Sequence, residues 1–229
     1  MAGKSKIKNK LLIFDLDGTL YRISGGSFKK SPLKRAVWAQ ALEFIRERLL
    51  ADDPEAKQIF KKIRLSYGEN ISLGLEKEFG ISRYEYFDFV WDLPARKFIE
   101  KNPAVKAIIA RLARNNKIII LSDAPKIWVI GVLKELGIYG ILQAAIRSGE
   151  GDSRKIFGNA FEPILQEFNV KPADCVVIGD QEETDIKPAK KVGLKAIFIG
   201  KNQSRYADST ISNISEVEAA INNIYRMEP

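Results

Sequence analysis

Leu11-Leu12-Ile13-Phe14-Asp15-Leu16-Asp17-Gly18-Thr19-Leu20 is the stretch on which the fold of this chain turns. Four apolar residues are stopped by an acid, and a short apolar run bounded by turn residues reads as a strand buried on both faces. Two carboxylates two residues apart at the C-terminal end of such a strand can point into the crevice where open α/β sheets bind ligands.

Working outward, four further runs have the same character, at residues 118–121, 144–146, 175–178 and 196–199, each closely followed by Gly, Asp or Ser. Between them lie helical patterns at 104–115, 125–136, 157–168 and 185–192, with another at 214–225. Asn102-Pro103 reads as an N-cap followed by proline at the first helical position. Strands alternating with helices mean a parallel sheet covered on both faces. The expected fold class is α/β, a three-layer Rossmann-like core.

Residues 21–101 break the alternation. Helical periodicity recurs at 33–50, 54–66, 71–79 and 84–91, and no strand is evident. A crossover between parallel strands needs about a dozen residues, and this segment is several times longer. It reads as an inserted all-helical cap, leaving 1–20 and 102–229 as the core.

The 229 residues carry a formal charge of +8 and contain no histidine and one cysteine. Without histidine, Ser-His-Asp and Cys-His catalysis and His-ligated metals are excluded. Cys175 sits in the apolar run Cys175-Val176-Val177-Ile178 and reads as a buried structural thiol in a reducing compartment. The basic N-terminus is followed by too few apolar residues for a signal peptide, and no run reaches the roughly 18 apolar residues of a membrane span. A cytoplasmic location is expected, and oligomeric state is not readable from the sequence.

The later strands deliver further polar groups to the same sheet edge: Ser122-Asp123, then Arg154-Lys155, then Asp180-Gln181-Glu182-Glu183-Thr184-Asp185. Three or four carboxylates around one point would repel one another unless a hard cation lay among them, and Mg²⁺ suits oxygen ligands. The ammonium and the hydroxyl suit an anionic partner such as a small phosphorylated metabolite.

These four motifs, in this order, resemble the haloacid dehalogenase-like hydrolase superfamily. The resemblance implies that Asp15 is the nucleophile forming an aspartyl-phosphate and Asp17 the general acid and base. It makes Ser122 and Asp123 substrate-binding residues, and Lys155, with Arg154 as its competitor, the cation that steadies nucleophile and phosphoryl group. Asp15, Asp17 (through its backbone carbonyl), Asp180 and Asp185 (through a bound water) would hold Mg²⁺. An acid at position 17, which dehalogenases of the superfamily lack, favours phosphoryl transfer over carbon–halogen cleavage.

Between the first two motifs, the insert resembles a type-1 helical cap. Its stretches Ser66-Tyr67-Gly68-Glu69-Asn70-Ile71-Ser72-Leu73-Gly74-Leu75 and Tyr84-Glu85-Tyr86-Phe87-Asp88-Phe89-Val90-Trp91-Asp92-Leu93-Pro94, with Leu20-Tyr21, resemble the pyrimidine 5′-nucleotidase-like subfamily. That likeness implies nucleoside monophosphates as substrates, with small sugar phosphates or phosphoglycolate as alternatives. The cap aromatics Tyr84, Tyr86, Phe87, Phe89 and Trp91 read either as a stacking face for a base or as the cap's own core. A reading of another class takes the basic charge, Lys4, Lys6, Lys8 and Lys10 with Lys29, Lys30, Lys34 and Arg35, as a polyanion- or nucleic-acid-binding surface on a non-catalytic protein. No nucleic-acid module supports it.

Overall fold

The computed structural model describes residues 9–142, 145–150, 155 and 159–226. In chain order its strands are β1 (Leu11–Phe14), β2 (Tyr21–Ile23), β3 (Ile99–Lys101), β4 (Lys117–Leu121), β5 (Ile146–Arg147), β6 (Cys175–Gly179), β7 (Lys195–Ile199) and β8 (Ser209–Ile211). The helices are α1 (Pro32–Leu49), α2 (Asp53–Tyr67), α3 (Ile71–Phe79), α4 (Arg83–Val90), α5 (Val105–Ala113), α6 (Lys126–Glu135), α7 (Tyr139–Leu142), α8 (Phe161–Phe168), α9 (Lys187–Lys191) and α10 (Val217–Arg226).

Six strands form one parallel sheet in the order β5-β4-β1-β6-β7-β8, the Rossmann-like α/β core expected from the alternation. Every residue of β1 and β6 is buried, as parallel strands covered on both faces must be. Leu11, Ile13, Leu121, Cys175 and Val177 pack in one cluster with Phe161 and Ile164 of α8 and Ala189 of α9. Phe14 lies level with Ile120 of β4 and Ile178 of β6. The residues just beyond these strand ends, Asp15, Ser122 and Asp180, therefore emerge along one edge. The chain leaves β1 toward β4 and leaves β6 toward β7, so the strand order reverses between β1 and β6, where such sheets open a ligand crevice.

The chain divides into two compact units, one of Met1–Arg22 with Glu100–Pro229 and one of Ile23–Ile99. The second contains α1 to α4. Ser31 caps α1 by accepting from the Lys34 N–H at 3.1 Å, and Asp52 and Glu55 cap α2 reciprocally at 2.9 and 3.2 Å. Its centre is aromatic. Phe44 of α1 meets Tyr86 and Phe89 of α4 at ring-centroid separations of 5.4 Å.

The structure corrects several boundaries. Residues 21–101 do contain strands, because β2 and β3 lie at the ends of that segment and pair in a two-stranded sheet. A sixth strand of the main sheet, β8, reads Ser-Thr-Ile, too short and polar to stand out. Asn102 caps a turn rather than the helix: its Oδ1 accepts from the Ala104 N–H at 3.0 Å, and α5 starts at Val105. The expected helix at 185–192 is a π-turn at Glu182–Ile186 followed by α9, and the one at 214–225 opens with a 3-10 turn, Ile214–Glu216. Of the expected strand at 144–146, Ala144 lies outside the described residues and β5 begins at Ile146. The expected helix start at Phe157 also lies outside them. Cys175 is buried, with its Sγ 3.4 Å from the Lys171 carbonyl, and burial followed by the charge of Asp174 pushes its thiol up to about 12.

Candidate active site

The site begins where β1 ends. The Asp15 N–H still donates to the Ile178 carbonyl at 2.9 Å, so the ladder fixes this aspartate, and the chain then turns back so that the Gly18 N–H reaches the Tyr21 carbonyl at 3.1 Å. Gly18 makes the turn possible, with φ +94° and a position where a Cβ would lie 2.0 Å from Asp180 Oδ2. At the end of β6, a Cβ on Gly179 would likewise lie 2.3 Å from Asp185 Oδ2. Glycines thus let the carboxylates approach the backbone and one another.

Asp15, Ser122, Lys155 and Asp185 are buried, while Asp17, Asp123 and Asp180 are partly buried. The Lys155 ammonium donates to Asp15 Oδ1 at 2.5 Å and to Asp185 Oδ1 at 2.7 Å. Burial works to lower its pKa, but the charges of Asp15 and Asp185 outweigh it, so the ammonium is held charged. Arg154, its competitor in the sequence, lies outside the described residues.

Around this cation the acids are crowded. Burial, then the charges of Asp15 and Asp185, push Asp180 up to about 7. Asp185 is raised by burial and by Asp15, with Lys155 opposing. Asp17 is raised by burial and by Asp15, against the donors Tyr21, Trp128 and Ser122.

Carboxylate oxygens of Asp15, Asp180 and Asp185 lie within 4.8 Å of one another. Among the described residues Asp15 Oδ2 and Asp180 Oδ1 are buried without a hydrogen-bond partner. Buried oxygens of this kind are costly unless something pairs with them. Two unpartnered anionic oxygens in a site of hard donors fit a divalent cation. Asp185 Oδ1 accepts from the Lys155 ammonium at 2.7 Å and its Oδ2 from the Gln181 N–H at 3.0 Å.

Ser122 Oγ donates to Asp17 Oδ2 at 3.1 Å and accepts from the Ala124 N–H at 3.0 Å. Asp123, expected to bind substrate, has its Oδ1 accepting from the Lys155 backbone N–H at 2.8 Å, which links the end of β4 to that lysine.

Sequence reasoning did not find Trp128, and it used Tyr21 only in a likeness. Tyr21 Oη donates to Asp17 Oδ1, and Trp128 Nε1 reaches Asp17 Oδ1 at 3.3 Å and Tyr21 Oη at 3.2 Å. A tyrosine four residues after the acid was a usable cue. The tryptophan, 111 residues away from Asp17 in sequence, left none.

A haloacid dehalogenase-like hydrolase model matches residues 9–193. This chain belongs to that family. Among similar proteins is a glyceraldehyde 3-phosphate phosphatase of Methanocaldococcus jannaschii, 26% identical over 94% of this chain and 98% of its own length. A human N-acylneuraminate-9-phosphatase is 24% identical over 59% of this chain and 58% of its own. Similar solved structures include a phosphatase of the same family from Thermococcus onnurineus, with TM-score 0.62 and 20% identity, covering 93% of this chain and 97% of that one. Another is a 2-haloacid dehalogenase from Pseudomonas syringae, with TM-score 0.62 and 18% identity over 94% and 99%. These structures share the fold.

The charge surface and the aromatic stretch have definite places. Lys4, Lys6 and Lys8 lie outside the described residues, Lys10 pairs with Asp174 at 2.5 Å, and Lys34 pairs with Glu69 at 3.1 Å. Tyr86 belongs to the helical unit's core, partly buried Phe89 packs on Phe44, Phe28 stacks on Trp91 with centroids 5.8 Å apart, and Tyr84 is exposed. No helix among the described residues is long and apolar enough to cross a membrane.

Proposed function

We propose that this phosphatase-type hydrolase cleaves phosphomonoesters of small metabolites in a Mg²⁺-dependent reaction through an aspartyl-phosphate on Asp15. The observation that carries the reading is the arrangement of Asp15, with one oxygen held by the Lys155 ammonium and the other buried and unpartnered.

Asp15, Asp180 and the Asp17 backbone carbonyl would hold the cation, with Asp185 nearby. Bound there, Mg²⁺ supplies charge neutralisation, so that an anionic nucleophile and a phosphate dianion can approach. The chain's own residues do the rest. Lys155 orients Asp15 and balances the charge that develops on the phosphoryl oxygens. The Ser122 hydroxyl is the donor nearest to Asp17 on the β4 side and would turn to a phosphoryl oxygen. Asp17, with its raised pKa, gives a proton to the leaving alkoxide and takes one from the attacking water in the second step.

On substrate, the helical unit Ile23–Ile99 interrupts the chain between the first and second motifs, the place of a cap that selects the leaving group. Sugar phosphates are the leading class, supported by the glyceraldehyde 3-phosphate phosphatase that matches nearly the whole chain. The nucleotide reading loses support because Tyr86 is buried and both it and Phe89 pack on Phe44 of the helical unit. A cytoplasmic protein meeting soluble phosphate esters is consistent with this reading.

The test is phosphate release, with and without Mg²⁺, from sugar phosphates, glyceraldehyde 3-phosphate, phosphoglycolate, pyrimidine and purine monophosphates and an aryl phosphate. Asp15→Asn serves as the blank. Mg²⁺-dependent release that this substitution abolishes, strongest with a sugar phosphate, is expected. Full activity in Asp15→Asn would remove the nucleophile assignment, and preference for UMP or CMP would restore the nucleotidase reading.

A further inference from the structure

We propose that Tyr21 and Trp128 are positioning residues that hold Oδ1 of Asp17 and leave Oδ2 as the atom exchanging a proton with substrate; this rests on the acid–base reading of Asp17 above. Asp17 lies beyond the end of β1, so no strand ladder orients its side chain. The network around it does. Tyr21 and Trp128 are 2% and 1% exposed, and the indole can only donate. With Trp128 Nε1 3.2 Å from Tyr21 Oη, the phenol oxygen accepts from the indole and turns its own hydrogen to Asp17 Oδ1. Trp128 Nε1 also lies 3.3 Å from that oxygen.

The two oxygens of Asp17 are therefore unequal. Oδ1 takes the phenol and the indole, which uses its accepting capacity, whereas Oδ2 takes, among the described residues, Ser122 Oγ at 3.1 Å. A proton on Oδ1 would confront two donors, while one on Oδ2 needs only the Ser122 hydroxyl to turn away. In the first step the Asp15 carboxylate forms a bond to phosphorus as the ester P–O bond breaks, and the leaving alkoxide takes the proton from Asp17 Oδ2. In the second, water adds to phosphorus and gives its proton to Oδ2 as the Asp15–phosphorus bond breaks, releasing phosphate and restoring both carboxyl groups.

A misplaced acid has a specific signature: it matters for an alkoxide, which must be protonated, and little for nitrophenolate, which leaves unprotonated. The experiment compares kcat/KM of Tyr21→Phe and the native enzyme on the best alkyl phosphate and on p-nitrophenyl phosphate, with thermal melts of both proteins. Trp128 still reaches Asp17 Oδ1 in this variant, so no buried donor is orphaned and folding is expected to persist. The expected result is a loss of about tenfold or more on the alkyl ester and less than about threefold on the aryl ester. Trp128→Phe, which keeps the Tyr21–Asp17 bond, is expected to show the same selectivity to a lesser degree. Equal losses on both esters, no loss at all, or failure of both variants to fold would overturn the proposal. Asp17→Asn measured alongside separates the causes. If it too shows no leaving-group selectivity, the acid–base reading fails; if it is selective and Tyr21→Phe is not, only the positioning role fails.

Discussion

At the scale of single residues, Lys155 holds the electrostatic balance, because its buried ammonium lies between two buried carboxylates that would otherwise repel. Removing one partner of a buried ionic cluster costs about 3–5 kcal/mol, since the remaining charges are left uncompensated. Lys155→Met is expected to lose stability of that order at pH 8 and less at pH 5, where the stranded Asp185 carboxyl, raised by burial, can take up a proton; urea unfolding in chelator at the two pH values measures it. Gly18 is equally constrained, by positive φ and by the approach of Asp180. Gly18→Ala would push Asp180 aside, and because displacement of a reacting group by an ångström can cost roughly 100-fold, a fall of that size in kcat is expected with the core still folded. Unchanged turnover in steady-state assays would show that Asp180 can move without cost.

At the scale of elements, Lys155 is tied to the end of β4 by Asp123, a bond that asks only for an acceptor oxygen. Asp123→Asn, which keeps that oxygen, is expected to retain most activity, while Asp123→Ala is expected to lower kcat; a phosphate-release assay on both separates this from a charge effect. The helical unit depends on Phe44, packed between Tyr86 and Phe89. Phe44→Ala is expected to cost about 3–5 kcal/mol, read by hydrogen exchange as lost protection within residues 23–99. The strands of the main sheet were legible to the extent that they were apolar. Leu-Leu-Ile-Phe and Cys-Val-Val-Ile-Gly announce burial on both faces, but Tyr-Arg-Ile, Ile-Glu-Lys and Ser-Thr-Ile carry neither an apolar run nor an alternation long enough to detect.

At the scale of the whole molecule, the crowded acids make stability depend on pH and on cations. Asp180 ionises near its ordinary value of 3.8 when unfolded and near 7 when folded, so the folded protein holds that proton longer. Asp17 and Asp185 shift in the same direction. The contribution of Asp180 and Asp185 is fully present below about pH 4 and is lost as pH rises through 7, because beyond that point folding must bring charged carboxylates together. In chelator the melting temperature is therefore expected to fall between pH 5 and pH 8. Millimolar Mg²⁺ is expected to restore it at pH 8 more than at pH 5, as a ligand that binds only the folded state does. A flat profile in differential scanning calorimetry, with no Mg²⁺ response, would show that these carboxylates are not the cation site.

The sequence by itself determined the strand and helix alternation, the insert between the first two motifs, and which residues stand at the strand ends. All three are local properties, set by periodicity and by where an apolar run meets an acid. Only the tertiary structure decided what those residues touch. It gave Asp123 to the Lys155 backbone, Asp185 to the Lys155 ammonium, the aromatics of α4 to Phe44, and Tyr21 and Trp128 to Asp17. Most of these partners are far apart along the chain, 111 residues for Trp128 and Asp17, 32 for Asp123 and Lys155 and 30 for Asp185 and Lys155. The hydrogen bonds and charge pairings of the site depend on distances that exist only once the parallel strands have brought their ends to one edge.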